Sequence, residues 1–237
     1  MSKVISQSME NHFSTYLGDL YPDSMIAIKY QEDWQKDLYL KRIAQFKNKP
    51  IGFNKIVFLG NSITEKGGNW NKRFGVNNIV NRGVSGDITE GILSRLDEII
   101  YYKPTTIFLL IGINDIFDNH PDKKNINSSQ VAIKIIQIAR NIHKDCRNTK
   151  IVIQTILPVD IQKHMNYNDR SLSSYNSEMV NQIIAINRLI KGQNNFPVID
   201  LHSAFVDERG LMNKAYTTDG VHLNDIGYKA WVKYVNK

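Results

Sequence analysis

The sequence predicts an α/β fold: a three-layer α/β/α sandwich around a five-stranded parallel sheet. Two observations carry this. Five short, continuous apolar runs rich in β-branched residues read as strands buried on both faces. Between them lie longer segments whose apolar residues recur at helical spacing, and alternation of this kind builds a doubly wound sheet.

Residues 1–50 are polar and aromatic, with a helix expected over 31–47 and ended by Pro50. The first strand is "KIVFL" at 55–59, bounded by Gly60, and the second is "NIVN" at 78–81. The segment 87–100 reads as one helix, with Asp87 as N-cap, Glu90 three residues on, and Leu93, Leu96 and Ile100 on one face. "TTIFLLIG" at 105–112 is the third strand, followed by a helix over 128–144. "KIVIQTIL" at 150–157 stops at Pro158 as the fourth strand. A helix over 177–192 closes on Gly192 as a C′ glycine, "PVID" at 197–200 is the last strand, and Asn224 caps a final helix. The expected division is a helical extension, 1–50, packed on one domain, 51–237. The long polar stretch 160–176 is a candidate rim or lid.

A chain of 237 residues buries about 70–75% of its unfolded surface and needs no metal or disulfide to hold it together. The single cysteine, Cys146, excludes an intrachain disulfide and fits a reducing compartment. The net charge of +7 comes from scattered lysines without an arginine stripe, so a solvated basic surface is expected and no nucleic-acid partner. No apolar run has the length of a signal peptide or membrane span. The chain as given therefore reads as cytoplasmic, or as periplasmic or secreted if a leader was removed. Integral membrane association is not expected, and a homo-oligomer is left open.

Ligands of such folds sit at the carboxyl ends of the strands. Ser62, in "FLGNSIT", stands just beyond the first strand. A serine hydroxyl attacks only when a base takes its proton and donors stabilise the resulting oxyanion. Gly83, after the second strand in "NRGVSGD", is either a turn glycine or a close backbone donor. Asn114, after the third in "GINDI", is either a turn residue or an amide donor. Asp219 and His222, in "TTDGVHLND", have the spacing for a carboxylate to hold one imidazole nitrogen while the other faces the serine. Asp200 and His202, in "VIDLHSAF", form a rival acid–base pair. The remaining histidines, 12, 120, 143 and 164, read as surface residues, and no cluster has metal-ligand spacing.

The blocks "FLGNSIT", "NRGVSGDIT", "LIGINDI" and "TTDGVHLN", in this order across residues 55–226, resemble the SGNH hydrolases, also called GDSL esterases. The resemblance implies a flavodoxin-like SGNH hydrolase fold and hydrolysis of esters or thioesters without a cofactor or metal. It implies Ser62 as nucleophile, His222 as base and Asp219 as its orienting acid. It places the oxyanion hole at the backbone N–H groups of Ser62 and Gly83 and the side-chain amide of Asn114. It also favours His222 over His202. The family usually has aspartate before the nucleophile where this chain has Asn61, which keeps the size and drops the charge.

Within the family, "NRGVSGDITEGILSRLDEI" and "FLLIGINDI" look most like the short-acyl, acetylhydrolase-like branch. The expected activity is removal of O-acetyl groups from a carbohydrate such as sialic acid, with Trp70 either stacking on the sugar or packing in the core. Alternatives are a lysophospholipase, a platelet-activating factor acetylhydrolase-like enzyme or a thioesterase. Of another class is a catalytically silent glycan- or lipid-binding protein.

Overall fold

The computed structural model describes residues 20–117, 126–168 and 178–236. Helix α1 (Asp33–Asn48) leads into β1 (Ile56–Gly60), the short helices α2 (Ser62–Lys66) and α3 (Trp70–Phe74), and β2 (Ile79–Gly83). Then follow α4 (Thr89–Leu93), α5 (Asp97–Tyr102), β3 (Thr106–Leu110), α6 (Ile113–Ile116) and α7 (Ser128–Asp145). The rest is β4 (Lys150–Gln154), α8 (Ile161–Asn168), α9 (Met179–Gly192), β5 (Val198–Ile199), α10 (Leu201–Phe205) and α11 (Asp225–Val235).

The sheet order is β2-β1-β3-β4-β5 and every pairing is parallel, as the apolar runs predict. Successive residues of a strand face opposite ways. Val57, Leu59, Ile107, Leu109, Ile151 and Ile153 therefore meet α7 and α9 on one face. Phe58 and Leu110 meet Trp70, Phe205 and Trp231 on the other. There Phe58 stacks on Trp70 at 4.5 Å and on Phe108 at 4.9 Å, with Trp231 edge-on to Trp70 at 4.9 Å. Trp70 is 1% exposed and its indole N–H donates to the Thr64 carbonyl at 3.0 Å. It is a core residue, so the sugar-stacking role falls away.

Register sets the site. Gly60 lies opposite both Gly83 and Leu110, so β1, β2 and β3 end level and their following segments emerge together at one edge. Gly60 has no room for a side chain, because a Cβ would run into the Leu110 carbonyl and the Thr64 hydroxyl.

Three sequence expectations change. The 87–100 segment is two helices, because Arg95 turns inward between them to meet Asp87. Asp87 is consequently not an N-cap; Ile88 holds that position with no side-chain cap. Gly192 is the last helical residue of α9 and is followed by extended Gln193, so it is not a left-handed C′ glycine. Asn224 does cap α11, accepting from the Gly227 N–H at 2.9 Å.

Helix α1 lies against the loop that follows β2, and three of its side chains take glycine carbonyls there. Gln35 donates to Gly86 at 3.0 Å, Tyr39 to Gly91 at 3.0 Å and Arg42 to Gly83 at 2.9 Å. Tyr39, Ile43 and Phe46 are buried in the larger core cluster. Burial of each such side chain contributes about 1.5–3 kcal/mol. Among the described residues no helix is long and apolar enough to cross a membrane.

Candidate active site

Ser62 is the first residue of α2, directly after the turn that leaves β1. Asn61 caps this helix, its Oδ1 accepting from the Ile63 N–H at 3.0 Å. An aspartate could accept in the same way. The amide instead leaves its Nδ2 buried without a hydrogen-bond partner.

The Ser62 Oγ lies 3.0 Å from His222 Nε2, and His222 Nδ1 lies 2.6 Å from Asp219 Oδ2. A carboxylate only accepts, so Nδ1 carries the hydrogen and Nε2 presents a lone pair to the serine hydroxyl. Asp219 Oδ1 accepts further from the Val221 N–H at 2.9 Å and the His222 N–H at 2.7 Å. Burial pushes the Asp219 carboxyl up, but the His222 ring and the two backbone donors outweigh it and hold it well below the usual carboxylate range. Thr217 closes the turn, donating to the His222 carbonyl at 2.7 Å and accepting from the Gly220 N–H at 2.9 Å.

The rival pair does not form. Asp200 caps α10 and takes Lys191 Nζ at 2.8 Å and the Ser203 hydroxyl at 2.8 Å. Burial lowers the proton affinity of the nearby His202.

Asn114 donates its side-chain amide to the Asp87 carbonyl at 2.9 Å, which fixes the amide beside the loop after β2. Gly83 is elsewhere. Its N–H already donates to Asn81 Oδ1 at 2.9 Å, and a Cβ on it would strike the Glu65 and Asn61 backbone. Its lack of a side chain serves close packing of β2 on α2, and its N–H is engaged by Asn81 rather than open to a ligand. Gly86, three residues on, has φ +77° and lies next to the carbonyl that Asn114 holds. As letters the two glycines of "GVSG" are alike, and the backbone angle separates them.

A buried pair supports these segments from beneath. Arg95 bonds Asp87 Oδ2 through Nη2 at 2.8 Å, the Arg82 carbonyl at 3.0 Å and the Gly60 carbonyl at 3.2 Å. One guanidinium thus joins the ends of β1 and β2 to the loop carrying Gly86. Glu65 adds a second tie, accepting from the Ser85 N–H at 2.6 Å and hydroxyl at 2.7 Å.

Of the expected rim, residues 160–168 brace the Asp219 turn. The Asp160 N–H donates to the Gly220 carbonyl at 2.8 Å and Lys163 Nζ to the Thr217 carbonyl at 3.0 Å. His164, expected at the surface, is half-buried with Nδ1 3.2 Å from the Asp219 carbonyl. The remainder of that rim, and His12 and His120, lie outside the described residues. Cys146 is buried, and burial pushes its thiol up, as an unreactive cysteine requires. A cavity of about 660 Å³ bordered by Arg42, Phe46, Lys49 and Asn81 is not lined by Ser62 or His222. Among the described residues no group of three or more metal-binding side chains converges.

Comparison with known proteins places the fold and the family. The sequence model of the GDSL-like Lipase/Acylhydrolase family matches residues 58–230. A Streptococcus pneumonia structure, provisionally named a platelet activating factor, is 28% identical with a TM-score of 0.67, over 85% of this chain and 91% of that one. An acylhydrolase, so named provisionally, from Bacteroides fragilis is 23% identical with a TM-score of 0.68, over 87% and 96%. The acetylxylan esterase Axe2 of Geobacillus stearothermophilus is 19% identical with a TM-score of 0.56, over 78% and 94%. No curated protein matches.

Proposed function

Because the chain belongs to the GDSL-like lipase/acylhydrolase family and is a carboxylic ester hydrolase, we propose that Ser62, His222 and Asp219 are its catalytic triad and that it removes short acyl groups, foremost O-acetyl groups from a sugar such as sialic acid. The observation that carries this is the unbroken line from Asp219 to His222 at 2.6 Å and from His222 to Ser62 at 3.0 Å.

His222 Nε2 takes the Ser62 proton as Oγ bonds to the ester carbonyl carbon. The tetrahedral oxyanion is met by the Ser62 N–H, the Asn114 amide and, in place of Gly83, the Gly86 N–H. As the intermediate collapses, the ester C–O bond breaks and the alcohol leaves with the proton from His222, while the acyl group stays on Ser62. Water, deprotonated by His222, then adds to the acyl carbon and releases the acid and the free serine. Asp219 keeps the ring oriented and stabilises its protonated form. Each oxyanion donor is worth about 3–4 kcal/mol in the transition state.

The short-acyl reading is supported by the "NRGVSGDIT" and "LIGINDI" blocks and by acetylxylan esterases among the structural neighbours. A series of nitrophenyl esters from acetyl to decanoyl tests it. Turnover should fall steeply beyond four carbons. A maximum at the long chains would replace this reading with a lysophospholipase.

A further inference from the structure

The chain has three tryptophans, and they divide sharply. Trp70 and Trp231 are 1% and 0% exposed, whereas Trp34 is 47% exposed. A tryptophan used only for packing is sunk like the first two, because leaving a large apolar face in water forgoes its burial.

Trp34 is not loose on the surface. Its indole N–H donates to Glu32 Oε2 at 2.7 Å. Its six-membered ring comes within 3.0 and 3.2 Å of where a Cβ on Gly86 would stand, so the ring lies against that glycine. The next residue, Gln35, holds the Gly86 carbonyl from the same helix at 3.0 Å. One residue further along, the Asp87 carbonyl is held by Asn114. Trp34 and Asn114 thus flank the same turn, which is tied through Ser85 to Glu65 on the helix that begins at Ser62. The family match begins at residue 58, so Trp34 lies outside it.

From this arrangement we infer that Trp34 is a sugar-binding platform at the rim of the ester site, receiving the apolar C–H face of the ring that carries the acyl group. The inference rests on the esterase reading above and adds its acceptor subsite. A sugar ring presents hydroxyls at its edge and C–H groups on its faces. An indole fixed at its N–H, on a residue half exposed to water, complements such a face without having to be ordered on binding. The absence of a Cβ at Gly86 lets the ring sit close to the turn. The ring's placement is therefore coupled to the loop that carries the Gly86 N–H.

The test compares an O-acetylated methyl glycoside with ethyl acetate, which has no ring to stack, in wild type, Trp34→Leu and Trp34→Phe. The leucine variant keeps an apolar contact on Gly86 but loses the flat face. The ratio of kcat/KM for the glycoside over that for ethyl acetate should fall roughly 3- to 10-fold in Trp34→Leu, mainly through KM, and recover partly in Trp34→Phe. An unchanged ratio overturns the platform, and an equal loss on both substrates marks Trp34 as a structural prop. Wild type that cleaves ethyl acetate but not the glycoside overturns the sugar subsite and leaves the esterase standing. Wild type inert on both overturns the esterase reading instead. Titration of the glycoside against tryptophan fluorescence then decides for the platform: a blue shift absent from Trp34→Phe upholds it, and no shift ends it.

Discussion

The Tyr228 hydroxyl donates to the Ile63 carbonyl at 2.7 Å, joining α11, just after His222, to α2, which starts at Ser62. Ser62 and His222 come from opposite ends of the domain sequence, and this buried bond ties the helix that begins at Ser62 to the helix that follows His222. Tyr228→Phe leaves the carbonyl buried without its donor, which should cost about 1–3 kcal/mol. The urea midpoint should drop and kcat with it. An unshifted midpoint would mean that the carbonyl finds another donor.

Ser62→Ala should lower turnover of a nitrophenyl acetate by roughly 10⁴-fold or more while the circular dichroism spectrum is retained. Labelling by a fluorophosphonate should vanish in the same variant. Wild-type protein that takes no label would instead favour a catalytically silent binder.

Asp219→Asn should reduce kcat by roughly 10⁴-fold, since an amide no longer enforces the tautomer with its hydrogen on Nδ1. It should also change the acid limb of stability. The folded carboxyl sits below its unfolded value of about 3.9, so the stability it contributes is complete above that pH and is lost as pH falls through the folded value. Urea midpoints below about pH 4 should consequently decline less in Asp219→Asn than in wild type. Parallel declines would show that another carboxylate governs this window.

Gly86→Ala puts a Cβ 3.0 Å from the Trp34 ring at a left-handed φ of +77°, a strain of about 1–2 kcal/mol. The Gly86 N–H should shift, and kcat should fall roughly 100-fold, comparable to Asn114→Ala. Gly83→Ala should behave differently, failing to fold because its Cβ meets the Glu65 backbone. Full activity in Gly86→Ala would remove Gly86 from the oxyanion hole.

Arg95→Met strands the buried Asp87 carboxylate and should destabilise the protein by about 3–5 kcal/mol. Burial already pushes the Asp87 carboxyl up to about 6 against the pull of Arg95. The double variant Asp87→Leu/Arg95→Met should regain part of that loss in thermal unfolding, yet keep a kcat defect, because the guanidinium that joins the Gly60 and Arg82 carbonyls to the loop is still missing. Additive losses in the double variant would show that the two residues act separately.

The centre of the sheet was legible because β1 and β3 are apolar runs buried on two faces, as in residues 55–59 and 105–112, whereas β2 runs on through Asn81 and Arg82 and β5 keeps only Val198 and Ile199. The proposed triad was legible because the four blocks that resemble the SGNH hydrolases carry Ser62, Asp219 and His222, and the spacing of Asp219 and His222 lets a carboxylate hold the ring. Other features were hidden for identifiable reasons. Asp87 looks like a cap from its neighbours, and Arg95, turned inward at a break in the expected helix, converts it into half of a buried pair. Gly83 and Gly86 are equivalent as letters, and their backbone angle and hydrogen-bond partner distinguish them. Trp70 follows the nucleophile closely in sequence but points into the aromatic core, whereas Trp34, far away in sequence, reaches the loop.

Helix α1 meets the glycine carbonyls at 83, 86 and 91 through Arg42, Gln35 and Tyr39. A version trimmed to begin at residue 51 would keep Ser62, Asp219 and His222 and still be a poorer catalyst, with three carbonyls stripped of these donors and the turn beside Asn114 left slack. Anyone transplanting this enzyme's chemistry onto a smaller scaffold would need to carry the leading helix along with it.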